Sequence, residues 1–343
     1  MLFNMVRKEV VKRIKELRSG FQFRLVLPND PRSPAFVETA PAIVMGRPSE
    51  RQLIAFRTPY CTHGKCTMCG FNLGGVPEVS FEDLKAQFDS IDLIDRGRVS
   101  LCTESSFFHP RVPFGFLEFL FRKLAETGIQ EIDLETCASD AVGNIGNIGR
   151  LKDLLRKDQQ LFVGMGLESQ DDFVRSVLIG KNLPKELFEK AVGLLAEVGV
   201  GIYAYIILKP PGLEEKEAIE ECIRTLEYFF SVMEQEGVEH SRATLKPLFI
   251  PKNTIVEKLF EEGLVTPPKL WSLLEVLRRT HKLGTIFVPL TDEGLAEDRI
   301  AENCEKCTGK IREAVRVFDA NQDIKLLQEI SCECNEEWEN EHA

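Results

Sequence analysis

A chain of 343 residues with 43% hydrophobic and 28% charged residues can bury one large core plus appendages, and needs neither a membrane nor a partner to fold. Its formal net charge of -11 argues against a broad basic surface that grips nucleic acid unaided, because phosphate contacts need clustered Lys and Arg; a nucleic acid delivered by a partner stays open. The longest apolar runs, such as VGIYAYII at 200–207, fall far short of a spanning helix, and no signal peptide or anchor is legible, so no membrane is expected and the cytoplasm is. Of the ten cysteines, seven cluster at metal-like spacings along a long chain, which fits metal chemistry in a reducing compartment better than a disulfide framework.

The opening MLFNMVRKEVVKRIKELRSG alternates charged and apolar residues at helical spacing, giving an N-terminal helical and extended segment over 1–50. From residue 51 onward, short apolar or β-branched runs alternate with amphipathic helical stretches. QLIAFRTPYC precedes FEDLKAQFDSI, VSLCTES precedes FGFLEFLFRKLAETG, and EIDLETC precedes IGRLKDLLRKD. QLFVGMGLES then leads to LFEKAVGLLAEVG, VGIYAYIILK leads to EKEAIEECIRTLEYFFSVMEQEG, and RATLKPLFI closes the series. Such a series predicts a parallel sheet with helices outside, because parallel neighbours need crossover connections. An open or closed β/α barrel is favoured over a doubly wound sheet. The expected architecture is α/β: a partial (β/α)6 barrel over 51–250, followed by a helical, cysteine-bearing C-terminal extension over 251–343.

In a β/α barrel the chemistry sits at the C-terminal ends of the strands. Those ends are polar here: Thr103, Glu104, Ser105 and Ser106 after the second predicted strand, Glu135 and Thr136 in the third, Glu168 and Ser169 at the end of the fourth, and Lys209 after the fifth, ahead of Pro210 and Pro211. Taken singly, a Ser or Thr in such a place reads as an N-cap or loop residue. Several converging on one rim point to a site, since a buried carboxylate there needs a partner or a ligand.

The first strand ends in FRTPYCTHGKCTMCGF, residues 56–71, which sets Cys61, Cys66 and Cys69 close together with no fourth cysteine nearby. A structural zinc site closes its shell with four protein ligands, and His63 is awkwardly placed to be the fourth. Three thiolates with an open corner suit an iron-sulfur cluster in which one iron is free for an exogenous ligand; the donor type alone leaves zinc open.

The first-strand position, the C-x4-C-x2-C spacing and the barrel pattern together resemble the radical S-adenosylmethionine (radical SAM) superfamily. The spacing departs from that superfamily's usual C-x3-C-x2-C by one residue, and Met68 stands where an aromatic residue often precedes the third cysteine. GLESQDDFVRSVLIGKN, ILKPPGLEEKEAI and PLFIPKNTIVEKLFEEGLVTPPKLWS narrow the resemblance, over about residues 40–290, to the archaeosine-forming radical enzymes within the Elp3-like group, with which the chain shares the four-residue gap.

The resemblance implies that Cys61, Cys66 and Cys69 hold a 4Fe-4S cluster whose free iron is chelated by S-adenosyl-L-methionine. Thr103, Glu104 and Ser105 stand where the superfamily's second-strand GGE motif meets the methionine amine; both glycines are absent, so the role carries over best to Glu104. Glu135 would take the ribose hydroxyls or the amine, and Glu168 and Ser169 would contact the cofactor. Lys209 would meet a carboxylate of the methionine or of the substrate, with a solvated lysine beside a turn as the alternative. The implied reaction is on tRNA: a lysine-adding transferase, the alpha subunit of archaeosine synthase, joins lysine to a 7-cyano-7-deazaguanine in the D-arm, and the radical enzyme, fed by an electron donor, cleaves the carbon-nitrogen bond of that lysine-modified 7-deazaguanine. A related radical enzyme with another tRNA or small-molecule substrate, and a non-catalytic zinc-binding scaffold, are the other readings.

Two close pairs in the tail, Cys304 with Cys307 and Cys332 with Cys334, can supply four thiolates to a structural zinc ion; a second iron-sulfur cluster and unpaired thiols are the alternatives. Cys102, Cys137 and Cys222 read as small buried core residues. His109, in SSFFHP near the rim, is a candidate to donate a proton or position substrate, or else a packed loop histidine.

Overall fold

Among the described residues, eight strands form one sheet in strict chain order. The computed structural model describes residues 2–20, 29–70, 75–290 and 295–342, so Phe71, at the end of the cysteine stretch, lies outside the described residues. Helix α1 (Leu2–Gly20) precedes a hairpin of β1 (Phe36–Val44) and β2 (Arg47–Phe56). Then come α2 (Phe81–Asp89), β3 (Arg96–Thr103), α3 (Phe114–Ala125), β4 (Gly128–Glu135), α4 (Ala138–Gly143), α5 (Ile145–Leu154) and β5 (Gln160–Glu168). A π-helical turn at Val174–Ile179 leads to α6 (Lys185–Glu197), β6 (Gly201–Leu208), α7 (Glu215–Gln235) and β7 (Ser241–Pro247). Helices α8 (Ile255–Glu261) and α9 (Leu270–Thr280), the short β8 (Thr285–Phe287), α10 (Glu305–Asn321), α11 (Lys325–Glu329) and α12 (Glu333–His342) complete the chain.

Strands β2 to β8 are parallel, and the six expected strand-helix units correspond to β2 through β7. The first 50 residues, expected as helical and extended, contribute α1, β1 and the start of β2. Strand β1 pairs antiparallel with β2 across a two-residue turn whose Met45 (φ 48°) and Gly46 (φ 73°) both take the left-handed backbone that a tight hairpin demands. Pro41 is tolerated because β1 is an edge strand, where a missing donor costs little.

The alternation of each strand divides the molecule into two environments. One set, including Ile54, Leu101, Leu134, Val163, Ile206 and Leu245, is fully buried in the main apolar core with Leu117, Phe188 and Phe229 of the helices. The other set faces the concave side and is polar. There Arg98 Nε lies 2.7 Å from Glu131 Oε2, Arg242 Nη1 lies 2.8 Å from the same oxygen, and Arg242 also pairs with Asp133. Ser100 Oγ donates to Asp133 Oδ2 at 2.7 Å, and Arg51 Nε donates to Ser100 Oγ at 2.8 Å. Since Arg242 is on β7 and its partners are on β4, the sheet must curl tightly enough to bring strands three apart within reach. The fold is therefore a partial β/α barrel whose lumen, at the N-terminal end of the strands, is filled by a charge network.

That network satisfies itself. Burial alone would push the Asp133 carboxyl up, but Arg242 and Arg98 hold it below the usual carboxylate range. Arg242 also stacks 3.8 Å from the Phe162 ring centroid, with Tyr203 beside it. Gly164, opposite Tyr203 in register, leaves space for that ring; a Cβ there would overlap it.

Helix α10 packs against β1 at one end of the sheet and reaches β8 at the other. Gln322, just after α10, accepts from Ile286 N at 2.9 Å and donates to Ile286 O at 3.1 Å, while Asp319 accepts from Val288 N at 2.8 Å. The helix thus spans the seam between first and last strands and caps the free edge of β8. None of the described helices is long and apolar enough to cross a membrane.

Candidate active site

The cysteine loop leaves β2 at its C-terminal end and is clamped to the π-helical turn. Thr67 N donates to Ile179 O and Thr67 Oγ1 to Leu178 O, both at 2.7 Å, and His63 Nε2 donates to Gly180 O at 2.7 Å. His63 is thus spent on backbone rather than aimed at a metal. Arg18 of α1 reaches the same place, donating from Nη2 to Thr67 Oγ1 at 2.8 Å and from Nη1 to Val177 O at 2.9 Å. Gly180 (φ 78°) ends the turn in the left-handed region, and a Cβ there would overlap the Arg18 guanidinium.

On this frame Cys61 and Cys66 are half-buried and Cys69 is exposed. Burial pushes the Cys66 thiol up to about 12, opposed by the Lys181 ammonium. Lys181, the residue after Gly180, pairs with Glu168 at 2.8 Å. Glu168 itself holds a left-handed backbone (φ 67°) at a register shift of β5, and a side chain at Gly166 would collide with the ion pair. Non-glycine residues in this region cost conformational energy, and such outliers gather at functional sites.

Among the described residues, the group of metal-ligand atoms that all lie within 4.8 Å of one another is the tail quartet, and the trio does not form such a group. By donor type, three thiols suit an iron-sulfur cube with one open iron, and the Lys181 ammonium beside Cys66 favours the thiolate there.

The other sequence-predicted residues fall into three groups. Glu104 is buried and accepts from Thr58 N at 3.1 Å; burial is the main cause that pushes its carboxyl up to about 7, partly offset by that N–H. Ser105 Oγ lies 3.2 Å from Thr58 Oγ1, and Thr103 Oγ1 accepts from Ser105 N, so these three residues knit the loops after β2 and β3 together. Glu135, on the luminal face of β4, accepts from the Tyr205 hydroxyl of β6, and burial raises its carboxyl as well. Burial first, and then the Glu135 and Glu104 carboxylates, push the Cys102 thiol well above its ordinary range.

Ser169, Lys209 and His109 are engaged elsewhere. Ser169 Oγ donates to Glu221 Oε1 of α7 at 2.5 Å, on the helix side of β5. Lys209 (φ 63°) pairs with Glu215 at 2.6 Å and donates to Thr266 Oγ1 at 3.1 Å, lining a cavity of about 240 Å³ that Arg7 also borders. His109 is buried, and its Nδ1 accepts from Arg111 N at 3.1 Å, while Nε2 makes no hydrogen bond. Cys102 and Cys222 are buried as expected; Cys137 is half-buried instead, because it stands at the N-cap of α4, just beyond the C-terminal end of β4.

Sequence reading missed Lys181, Tyr205 and Arg18. A lysine following a glycine that ends a turn carries no motif, and strand tyrosines read as apolar fillers. Arg18 reaches Thr67 only through the docking of α1.

No family model matches the chain. Archaeosine synthase subunit beta of Methanosarcina acetivorans is 26% identical to it over 339 residues, covering 95% of this chain and 94% of that protein. An uncharacterised protein of Methanocaldococcus jannaschii is 28% identical over 293 residues, 81% of this chain and 77% of that one. Among solved structures, the Elp3 of Methanocaldococcus infernus with an N-terminal deletion overlays at a TM-score of 0.48 and 11% identity, over 69% of this chain and 57% of that one. The chain therefore resembles archaeosine synthase subunit beta along nearly its whole length.

Proposed function

We propose that this chain is a radical SAM enzyme of archaeosine formation, acting on tRNA as the lyase that cleaves the carbon-nitrogen bond of a lysine adduct on 7-cyano-7-deazaguanine. The observation that carries the reading is the cysteine trio, held on a clamped loop at the C-terminal ends of parallel strands, in a chain similar end to end to archaeosine synthase subunit beta.

Cys61, Cys66 and Cys69 would hold a 4Fe-4S cluster. When bound, such a cluster would supply the electron, drawn from an external reductant, for reductive cleavage of the sulfonium of S-adenosyl-L-methionine. The chain's own work is binding, charge compensation and exclusion of water. Lys181, held in place by Glu168, offsets thiolate charge beside Cys66, while the Glu168 carboxylate itself works against it. Glu104, with its raised carboxyl, is suited to hold the methionine amine: binding that cation would favour the carboxylate and repay its burial. Glu135, oriented by Tyr205, offers a second acceptor, for ribose hydroxyls. The charge network below closes the lumen from the N-terminal side, so that solvent and stray hydrogen donors would enter only from the rim. Thr103 and Ser105 set the loop that carries Glu104; Ser169, Lys209 and His109 are assigned lesser, substrate-side or supporting roles. The partner is the lysine-adding transferase, which must already hold the same nucleotide.

The test is anaerobic incubation with S-adenosyl-L-methionine, a reductant and lysine-modified tRNA, followed by mass analysis of the nucleosides. Archaeosine is the expected product. Cofactor cleavage without archaeosine would assign the chain to a different substrate, and absence of cofactor cleavage in a cluster-loaded protein would remove the radical reading.

A further inference from the structure

The tail cysteines, 28 residues apart in sequence between Cys304 and Cys332, come together as a closed set. Cys304 caps the N-terminus of α10 and Cys307 lies in its first turn, while Cys332 and Cys334 flank the start of α12. The Sγ atoms of Cys304 and Cys307, Cys304 and Cys332, and Cys307 and Cys334 are each 3.6 Å apart, and all four lie within 4.8 Å of one another. Four thiolates around one zinc ion, with Zn–S of about 2.3 Å and tetrahedral angles, would sit about 3.8 Å apart. Around an iron-sulfur cube each thiolate stands outside a different iron and is pushed farther from the others, so this quartet is too tight for a cube. It is also not disulfide-bonded.

The surroundings match a held ion as well. Cys307 is buried and the other three half-buried, so the quartet is partly sheltered from solvent. Trp271 Nε1 donates to Cys334 Sγ at 3.3 Å, the kind of outer hydrogen bond that orients a thiolate ligand. Backbone turns support the spacing: Cys307 N donates to Cys304 O at 3.1 Å, and Asn335 N to Cys332 O at 2.9 Å.

The geometry points to a single four-coordinate zinc ion bound by Cys304, Cys307, Cys332 and Cys334, with no open coordination position, that ties α10 and α12 to α9 and so keeps α10 in the barrel seam. Binding deprotonates the thiols and transfers no electron. The path from ion to seam is short. Cys304 and Cys307 fix the first turn of α10; the last turn carries Asp319, followed by Gln322, and these two hold the edge of β8. On the other side Trp271 precedes Ser272, whose Oγ donates to Glu215 Oε1 at 2.5 Å.

The test uses the full chain, both as purified and with Cys61, Cys66 and Cys69 changed to Ser, so that metal on the two cysteine groups is counted separately. One zinc per chain should be present in both proteins. Replacement by cobalt should give the ligand-field and thiolate charge-transfer absorption of tetrahedral sulfur coordination. Iron with acid-labile sulfide on the tail, or four thiols that react freely and retain no metal, would overturn the site. The staple role is read by hydrogen exchange after chelation: amides of α10 and β8 should exchange roughly tenfold faster while β3 to β5 stay protected. Unchanged exchange in α10 after the ion is removed would overturn that role, and Cys332→Ser with Cys334→Ser provides the same measurement without a chelator. Neither readout depends on catalysis, so the outcome is independent of the proposed lyase activity.

Discussion

Lys181 Nζ lies 2.8 Å from Glu168 Oε1, and this pair borders the cysteine loop at the top of β5. Both side chains are mostly shielded from water, so removing one partner strands the other. Lys181→Met should cost about 2 kcal/mol of stability in urea unfolding, and the double change with Glu168→Gln should recover most of it. Additive losses in the double variant would show that the two residues do not act as a pair.

Cluster loading is the sharpest check on the trio. Anaerobically reconstituted and reduced protein should give an EPR signal that changes on adding S-adenosyl-L-methionine, and Cys66→Ala should abolish it. A signal indifferent to the cofactor, or stoichiometric zinc on Cys61, Cys66 and Cys69, would defeat the assignment.

Glu104 gives the chain a pH signature. Its folded pKa of about 7 lies above the ordinary 4.5, so between those values the folded chain binds more protons than the unfolded one. Its contribution to stability is therefore full below about pH 4.5 and is lost as pH rises through 7. Glu104→Gln should match the parent near pH 5 and exceed it at pH 8 by on the order of 2 kcal/mol, measured without cofactor. Equal stability of the two proteins at pH 8 would mean that the carboxylate is paid for by contacts beyond Thr58.

In the lumen, Arg242 neutralises both Glu131 and Asp133. Arg242→Met should destabilise by about 3–5 kcal/mol, because two buried carboxylates lose their shared cation. Thermal unfolding would measure it, and a loss under 1 kcal/mol would indicate that water takes the guanidinium's place.

A net charge of -11 sets an expectation for RNA binding. Alone, the chain should bind tRNA weakly at physiological salt, and affinity should appear in complex with the lysine-adding transferase. Filter binding with each protein and with both would check this; tight binding by this chain alone would contradict it.

Much of this architecture is legible in the sequence. Six strand-helix units stand out because their strands are short, apolar runs bounded by helices of clear 3.6-residue period, and the tail quartet because its pairs are close. The hairpin strand β1 is hidden by Pro41 and by a mostly solvent-facing pattern, which leaves it without alternation. The three-residue β8 is too short to carry any period. Polar luminal residues such as Arg98, Glu131 and Arg242 look like surface residues of half-exposed strands until the sheet curls and buries them together. At the candidate site, Glu104 and Glu135 stand out in the sequence as acidic residues at strand ends, with the resemblance pointing to Glu104. Lys181 does not, because its importance arises from a contact with β5 that no local pattern encodes.

The placement of α10 also sets an order of events during synthesis. Ribosomes make the chain from the N-terminus, so β1 and β8 both emerge before the helix that spans the gap between them. A nascent chain that has completed every strand still has a lateral opening into its interior. Cofactor assembly machinery that works from the side would have to act in that interval, whereas delivery through the rim has no such deadline.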